Sequence, residues 1–423
     1  MIAAEDAELA ERDPALPGLA TLLDEEAFAA VLHSGAPNAA IGAAHARYVR
    51  YKPGTSCLVS YDVEVGEAKL HVYARAHPPT DRGKLEPVRL RSRPPGPLGR
   101  ARVLDAELAV AVYPFGDDRR LGGLTAIADG ARRRALLARA LPDQPELWGA
   151  GLRCLRYKPE RRFVAELAAD GGARALLKIY ADGDFQTASR NAKVFVSRGP
   201  LRVARRLGRS RRCRLVAFEW LEGRELTEAL AAAQADLDAT ATAGAALAEL
   251  HAQHPRRLGR HSPAAEARAV HAAAATVGAV CPGLTERAHR LAAAITVALA
   301  AAAPDDVTLH GDFSADQVLV DEGAACLVDL DHAVRGDPRA DLGSFAAQLE
   351  RHELAGKLSA EAAGSARAAL LEGYGTRAGG AIGPYTAARL LRLAPEPFRY
   401  REEGWTGRVE AILTRAEALL AED

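Results

Sequence analysis

The alternation of apolar and polar positions divides the chain into a strand-rich first half and a helical second half. Residues 57–65 and 69–74 alternate with a period near two and are separated by a glycine turn, which predicts antiparallel strands; 163–167 and 176–181 repeat the pattern. From 225 onward, Ala and Leu recur at helical spacing over 225–251, over 264–303 with a break near Pro282-Gly283, and from 342 to the end. A short strand-like segment, 307–334, interrupts these helices.

The two strand-rich segments follow one plan and indicate a duplication. Arg50-Tyr51-Lys52-Pro53 precedes the first pair of strands, and Arg156-Tyr157-Lys158-Pro159 precedes the second. Residues 112–117 correspond to 217–222 at nearly the same offset, so three pieces match in register. We therefore predict an α+β chain of three parts: a duplicated, non-catalytic N-terminal cap at 1–145, a second strand-rich lobe at 146–223 and a helical lobe at 224–423.

The charge and cysteine content exclude several classes of protein. Lys plus Arg and Asp plus Glu both number 55, so no net charge attracts nucleic acid or an anionic membrane. The five cysteines form no CxxC pair, which favours reduced thiols in a cytoplasmic protein. The acidic N-terminus does not resemble a secretory signal, and the longest apolar run, 291–303, is shorter than the roughly 20 residues that span a bilayer.

Two polar clusters are interpreted as structural. Seven arginines lie between 202 and 214 without interleaved aromatic residues, which favours a solvated helix face over a nucleic-acid site. His251 and His254 follow a predicted helix just before Pro255, and we expect them to cap its C-terminus rather than to bind metal.

The candidate chemistry lies in the 307–334 segment. Asp312 in His310-Gly311-Asp312 is followed, after four residues, by Gln317 and an apolar strand. A turn at Glu322-Gly323 and a second strand then lead to Asp329. This spacing is typical of a phosphoryl-transfer loop, in which the carboxylate accepts a hydroxyl proton and the amide and second carboxylate hold Mg²⁺. We predict Asp312 as the catalytic base and Gln317 and Asp329 as metal ligands.

A His-Gly-Asp triplet alone is common in turns, so the prediction depends on the whole pattern. The triplet, the amide, two apolar strands and the closing Asp329 together are much more specific. His310 is expected to be structural, with its ring hydrogen-bonded to backbone.

This segment resembles the aminoglycoside phosphotransferase and choline kinase superfamily, which has a two-lobed, protein-kinase-like fold. Its motifs match His310–Gln317, Val328-Asp329-Leu330 and the stretch from Gly336 to Leu342. The resemblance implies a structural role for Asp341. Gln317 stands where Asn is usual. The same replacement is found in the maltokinase-like and bacterial glucosamine-kinase-like branch, which this chain also resembles in carrying an extra N-terminal domain.

The resemblance also implies a nucleotide site. Lys178, on an apolar strand, is expected to hold the phosphates of ATP, while its acidic partner stays unassigned because only Asp182 and Asp184 lie between Lys178 and Leu215. Backbone groups of Glu219 and Leu221 would contact adenine. The turn 159–162 replaces a glycine-rich loop, and its Arg161 and Arg162 are candidate phosphate ligands, with plain surface arginines as the alternative.

The expected function is transfer of the γ-phosphoryl of ATP, with Mg²⁺, to a hydroxyl of an amino sugar, a sugar or an aminoglycoside. Glu396, Glu402 and Glu403 are candidates for contacting a cationic acceptor, or are simply surface acids. Two alternatives remain: a catalytically impaired kinase-fold binding protein and, with less support, a protein kinase. No nucleic acid or membrane partner is expected.

Overall fold

The computed structural model describes residues 2–84, 96–232, 235–301, 305–321, 323–375 and 380–422. Position 322 of the predicted turn at Glu322-Gly323 lies outside these ranges. The chain forms two compact units. Unit 1 contains the described residues up to Phe185, with Leu207–Phe218 and Phe398–Glu403. Unit 2 contains Gln186–Arg206, Glu219–Pro397 and the described residues from Gly404 onward.

The first sheet of unit 1 has five strands in the order β1-β2-β3-β5-β4. One face is covered by helices: Phe28 of α3 stacks on Tyr61 of the sheet, with ring centroids 3.8 Å apart. Asp24 starts α3 because its carboxylate accepts hydrogen bonds from the N–H groups of Glu26 and Ala27. The elements are α1 (Ala4–Arg12), α2 (Leu19–Leu23), α3 (Glu25–Gly35), β1 (Ile41–Lys52), β2 (Ser56–Val65), β3 (Ala68–Ala76), β4 (Arg102–Asp105) and β5 (Val110–Pro114).

The second sheet has five strands in the order β10-β11-β8-β7-β6. Its core includes Leu177 and Ile179 on the sheet together with Leu121, Leu137 and Leu147, so the segment 121–150 packs on the second sheet. The elements are α4 (Leu124–Ile127), α5 (Gly130–Ala140), β6 (Gly151–Lys158), β7 (Arg162–Ala168), β8 (Arg174–Tyr180), α6 (Asp182–Asn191), β9 (Leu201–Arg202), β10 (Arg206–Ser210) and β11 (Leu215–Glu219). β9 belongs to a sheet of unit 2.

Unit 2 is mostly helical and carries two small sheets, with strand orders β12-β15-β16-β9 and β13-β17-β14. Helices α8 and α12 approach closely through Gly244 and Gly373, where an added Cβ would collide with the backbone of the other helix. The elements are β12 (Arg224–Glu225), α7 (Leu226–Ala231), α8 (Leu237–His251), β13 (Gly259–Arg260), α9 (Pro263–Val280), α10 (Thr285–Ala301), β14 (Val307–Leu309), β15 (Val318–Asp321), β16 (Ala324–Leu327), β17 (Val334–Gly336), α11 (Arg339–Leu354), α12 (Ala360–Tyr374), α13 (Gly383–Leu393), α14 (Glu396–Arg399) and α15 (Trp405–Ala421).

The predicted α+β class, strand-rich first and helical afterwards, is confirmed. The arginine-rich segment 202–214 is not a helix face: β10 and β11 form a hairpin there, because Leu207, Leu215 and Ala217 pack into the second sheet's core. The predicted helix 225–251 is two helices, α7 and α8. None of the described helices is long and apolar enough to cross a bilayer.

The two sheets of unit 1 share one hydrogen-bonding arrangement at their first turn. In the first, the carboxylate of Asp13 accepts hydrogen bonds from the hydroxyl of Tyr51 and the N–H of Gly54, both at 2.8 Å. In the second, Asp118 accepts from the hydroxyl of Tyr157 at 2.9 Å and the N–H of Glu160 at 2.8 Å. Each aspartate is the first residue of a repeated sequence, D-x-x-L-x-G-L, at 13–19 and 118–124.

Strand register decides which residue of the first sheet corresponds to Lys178. Counted from the first turn, Leu58 lies opposite Arg75 in β2–β3, and Val164 lies opposite Lys178 in β7–β8. Arg75 therefore occupies the place of Lys178. Aligned by sequence alone, the two copies place His71 of Leu70-His71-Val72-Tyr73 where the second has Lys178 of Leu177-Lys178-Ile179-Tyr180. This equivalence is wrong, because the β2–β3 hairpin is longer than the β7–β8 hairpin.

Candidate active site

The loop His310–Gln317 joins β14 to β15 and is fixed by one buried carboxylate. Asp341 accepts hydrogen bonds from the N–H of His310 at 2.6 Å, the N–H of Gly311 at 2.9 Å and Nε2 of His251 at 3.0 Å. Burial alone would raise the pKa of Asp341, but the hydrogen bonds and the positive character of His251 and His310 lower it. The structural role implied for Asp341 is confirmed.

Two histidines complete this support. His310 Nε2 donates to the carbonyl oxygen of Val328 at 2.8 Å, which confirms its structural role. His251 does not act as a simple helix cap: its ring is buried, bonds Asp341 and lies 2.8 Å from the hydroxyl of Tyr374. The earlier interpretation of His251 is therefore wrong, because its side chain turns into the core rather than back to the helix end.

The β15–β16 hairpin brings the end of the loop next to Asp329. Val318 lies opposite Leu327, and the N–H of Val328 donates to the carbonyl oxygen of Gln317 at 2.9 Å. Asp329 itself has a left-handed backbone, with φ of 65°. The loop therefore places Gln317 and Asp329 on neighbouring strand ends.

Asn191 holds the chain that follows Asp329. Its Nδ2 lies 3.1 Å from the carbonyl oxygens of both Asp331 and Ala333. Asn191 is buried at the end of α6, far away in sequence, so no motif pointed to it. It fixes the backbone that carries Asp329.

Asp312 forms an ion pair with Arg389 of α13, and its side chain is 37% exposed. Burial raises the pKa of the Asp312 carboxyl, but the charge and hydrogen bond of Arg389, with His310 and His332, bring it below its ordinary value. Asp312 is therefore a carboxylate at neutral pH. Sequence reasoning missed Arg389, since nothing in the loop motif signals a partner 77 residues away.

Gln317 and Asp329 fit the donor set of a nucleotide-bound Mg²⁺. Gln317 is 8% exposed. Its Nε2 lies 3.1 Å from Asp316, an orientation that leaves Oε1 for a cation. Mg²⁺ on nucleotide phosphates takes only one or two protein oxygens. The described residues contain no group of three or more His, Cys, Asp or Glu suited to hold a metal.

A cavity of about 530 Å³ opens beside Asp312 in unit 2. Its lining includes His332, Tyr385, Arg392 and Glu266. Glu266 is paired with His261 at 2.9 Å and Arg392 at 3.2 Å. Glu396, one of the acids considered for the acceptor, instead forms an ion pair with Arg351.

The nucleotide-site candidates of unit 1 lie on the second sheet. Lys178 is 4% exposed, and its Nζ lies 5.5 Å from the ring centroid of Phe218. It projects from the face opposite Leu177 and Ile179. Arg162 begins β7 opposite Tyr180.

Asp182, one of the two acids considered as partners of Lys178, takes another role. Its side chain is 82% exposed and forms an ion pair with Arg214.

The adenine candidates lie in unit 2: Glu219 is the last residue of β11, and Leu221 follows two residues later. The N–H of Glu219 donates to the carbonyl oxygen of Arg205 at 2.9 Å, and its carboxylate accepts from the N–H of Arg205 at 2.7 Å. For Leu221, no backbone hydrogen bond occurs within the described ranges. Its N–H and C=O are therefore available to a ligand.

Comparison with known proteins places this geometry in a family. A family model described as the phosphotransferase enzyme family (APH) matches residues 152–388, more than half of the chain. A search of curated proteins found no match.

Solved structures with a similar fold include a choline/ethanolamine kinase family protein from Mesorhizobium loti, at 19% identity, 68% coverage of this chain, 92% of that chain and a TM-score of 0.47. A macrolide 2'-phosphotransferase from Brachybacterium faecium has 20% identity, coverages of 68% and 98%, and a TM-score of 0.42. A choline kinase from Streptococcus pneumoniae has 14% identity, coverages of 64% and 94%, and a TM-score of 0.46. The family match spans Lys178 and the catalytic-loop candidates, and the chain belongs to the phosphotransferase enzyme family.

Proposed function

We propose that the protein is an ATP- and Mg²⁺-dependent O-phosphotransferase whose acceptor is an amino sugar, a sugar or an aminoglycoside. The observation that carries the proposal is the position of Asp312: a carboxylate on a loop fixed by Asp341, lining a cavity of small-molecule size. Family membership supports the reaction class.

In the proposed reaction the acceptor hydroxyl oxygen attacks the γ-phosphorus, and the bond from that phosphorus to the ADP oxygen breaks. Asp312 orients the hydroxyl and receives its proton, and Lys178 holds the phosphates. Mg²⁺ held by Gln317 and Asp329 would neutralise charge on the nucleotide phosphates. Glu219 and Leu221 would bind adenine, and Arg162 would contact phosphate.

The lowered pKa of Asp312 indicates which part of this role dominates. A weakly basic carboxylate removes a proton poorly from a hydroxyl in the ground state but orients it well. In a loose phosphoryl-transfer transition state the hydroxyl loses its proton late, so orientation suffices. Asp312 acts chiefly as a positioned acceptor, and Arg389 keeps it ionised.

The cavity beside Asp312 supports a polar acceptor. Acidic residues such as Asp305 and Asp306 line it, together with Ser262, Tyr385 and Arg260. Mixed donors and acceptors suit a molecule with several hydroxyls. Asp305 suits an amino group, whereas Asp306 and Glu266 are paired with arginines. We therefore favour an amino sugar or a neutral sugar.

The test is ATP turnover with Mg²⁺ against glucosamine, glucose, maltose, choline and several aminoglycosides, with product mass checked for one added phosphate. We expect phosphorylation of a sugar or amino sugar, and Asp329→Ala should abolish turnover and weaken nucleotide binding because it removes a metal ligand. Mg-ATP that binds but is never consumed would favour the impaired binding protein. Phosphorylation of peptides alone would favour a protein kinase.

A further inference from the structure

A second cavity, of about 540 Å³, lies within unit 1 between the first turns of its two sheets. We call it the basic cavity. Six cationic side chains line it, against the acids Glu160 and Asp184: Arg50, Lys52, Arg75, Arg119, Arg120 and Arg161. This excess of positive charge in a concave site favours an anionic ligand.

Among the described residues, two of the six cations have an acid within ion-pair distance. Arg50 and Arg75 share Glu160, with contacts of 2.7 and 2.8 Å. For the other four, no ion pair with a carboxylate occurs in the described part of the chain, and Asp184 is exposed. Like charges gathered without counter-charges repel one another, so an anion bound among them would relieve this repulsion.

The cavity is built from positioned groups. Glu160 is 3% exposed, has a left-handed φ of 60° and is fixed through its N–H by Asp118. The guanidinium of Arg119 donates to the carbonyl oxygen of Lys84 at 2.6 Å and lies over the ring of Tyr113 at 5.7 Å. Side chains held in this way lose little entropy when they bind a ligand.

Arg75 supplies an unused donor. Its Nη1 is occupied by Glu160, but its Nε is buried and has no hydrogen-bond partner in the described structure. A buried donor without an acceptor is costly and is a natural ligand contact.

Strand register adds an independent indication of the ligand. Arg75 occupies the place of Lys178, and the turn 52–56 occupies the place of the turn 158–162. The first sheet thus carries cations where the second sheet carries its proposed phosphate ligands. The inference of a phosphate ligand from this equivalence rests on the proposed role of Lys178. The inference from the charge and geometry of the basic cavity does not.

We propose that the basic cavity is a second anion site that binds a small phosphate-bearing molecule, distinct from the nucleotide that phosphorylates the acceptor. Arginine forks match phosphate oxygens in pairs, and the volume suits a small molecule. The phosphate belongs to a separate phosphorylated molecule, and the experiment distinguishes this ligand from the substrate nucleotide.

The test is calorimetric titration of the full-length protein with inorganic pyrophosphate, without added Mg²⁺, in the absence and presence of excess ADP. Lys52→Gln/Arg120→Gln removes two exposed cations that make no ion pair in the described part of the chain, so the fold should survive. The matched control is Arg211→Gln/Arg212→Gln, which removes the same charge from an exposed turn outside the lining. We expect the cavity variant to weaken binding at least about tenfold and the control to change it less than twofold.

Each other outcome contradicts the proposal. Loss of pyrophosphate binding in excess ADP would assign these cations to the substrate nucleotide. Equal weakening by both double variants would indicate bulk charge alone. A third variant, Lys178→Met, separates the two sites: it should lower kcat/KM for ATP by about 10²-fold and leave pyrophosphate binding intact. Failure of the proposed enzyme activity would not affect the binding result.

Discussion

The two sheets of unit 1 share a plan but differ where chemistry would occur. In both, an aspartate ties a tyrosine hydroxyl to the N–H of a turn residue: Asp13 in the first sheet and Asp118 in the second. The turn residue is Gly54 in one and Glu160 in the other, and both have φ of 60°. Glycine adopts this left-handed backbone conformation easily, whereas Glu160 adopts it in the second sheet at a cost in backbone strain.

This difference shows what each sheet contributes. Glu160 tolerates its conformation because its carboxylate binds Arg50 and Arg75 of the first sheet. Two arginines of the first sheet thus stabilise the turn 159–162, which replaces a glycine-rich loop in the second sheet. We infer that the first sheet supports the phosphate-binding turn of the second, while Lys178 belongs to the second alone.

Among the tests of the two sheets, the largest expected effect distinguishes Lys178 from the lysines of the first sheet. Lys178→Met should lower kcat/KM for ATP by about 10²-fold, since one positioned donor to transferring phosphates is lost. Lys69→Met, on β3 of the first sheet, should leave it within about twofold, because Lys69 is exposed and its contact is a surface ion pair. Equal losses in both variants would contradict the assignment.

The aspartates offer a test on stability and binding together. Asp118→Ala should destabilise the protein by about 3 kcal/mol, because buried donors lose their acceptor. It should also raise KM for ATP, since the turn 158–162 is released. Asp13→Ala should destabilise without changing KM. Denaturant unfolding and ATP kinetics measure the two effects, and a raised KM in Asp13→Ala would show that the first turn also serves the nucleotide.

The pH profile tests the partner of Asp312. Because Arg389 lowers the pKa of Asp312, the carboxylate stays ionised as pH falls. In Arg389→Gln that pKa rises, and the acid limb of kcat/KM should move to higher pH. Arg392→Gln, three residues along α13 and paired with Glu266, should leave the acid limb in place. An unmoved limb in Arg389→Gln would exclude Asp312 as its source.

The smallest effect concerns the turn glycine. Gly54→Ala should destabilise the protein by about 1 kcal/mol, since an alanine at φ of 60° is strained even though no atom lies within 4 Å of the new Cβ. Gly130→Ala, in the first turn of α5 with equally open space, should be neutral or slightly stabilising. Thermal melts of the pair would isolate backbone strain from packing.

The sequence was informative where chemistry and local pattern coincide. The loop from His310 to Gln317 and the hairpin leading to Asp329 could be predicted because their spacing is local. Asn191 and Arg389 could not, because each reaches its partner across a long stretch of chain.

Register and burial explain the remaining errors. Sequence alignment matches His71 with Lys178. Because the two hairpins differ in length, strand register instead places Arg75 at the position of Lys178. The arginines of 202–214 suggested a helix face, since charge alone does not distinguish an exposed helix from an exposed hairpin. The repeated D-x-x-L-x-G-L sequence was a signal that could have revealed the roles of Asp13 and Asp118.

We propose Asp312 as the catalytic carboxylate of the phosphotransferase. The most direct measurement compares wild type and Asp312→Asn at saturating Mg-ATP and acceptor, with nucleotide affinity measured separately. We expect kcat to fall by roughly 10²- to 10⁴-fold while the Kd for ATP changes less than about twofold, because only the acceptor hydroxyl loses the carboxylate that orients it and receives its proton. Retention of kcat within about threefold would contradict this role and indicate another residue of the cavity beside Asp312 as the base.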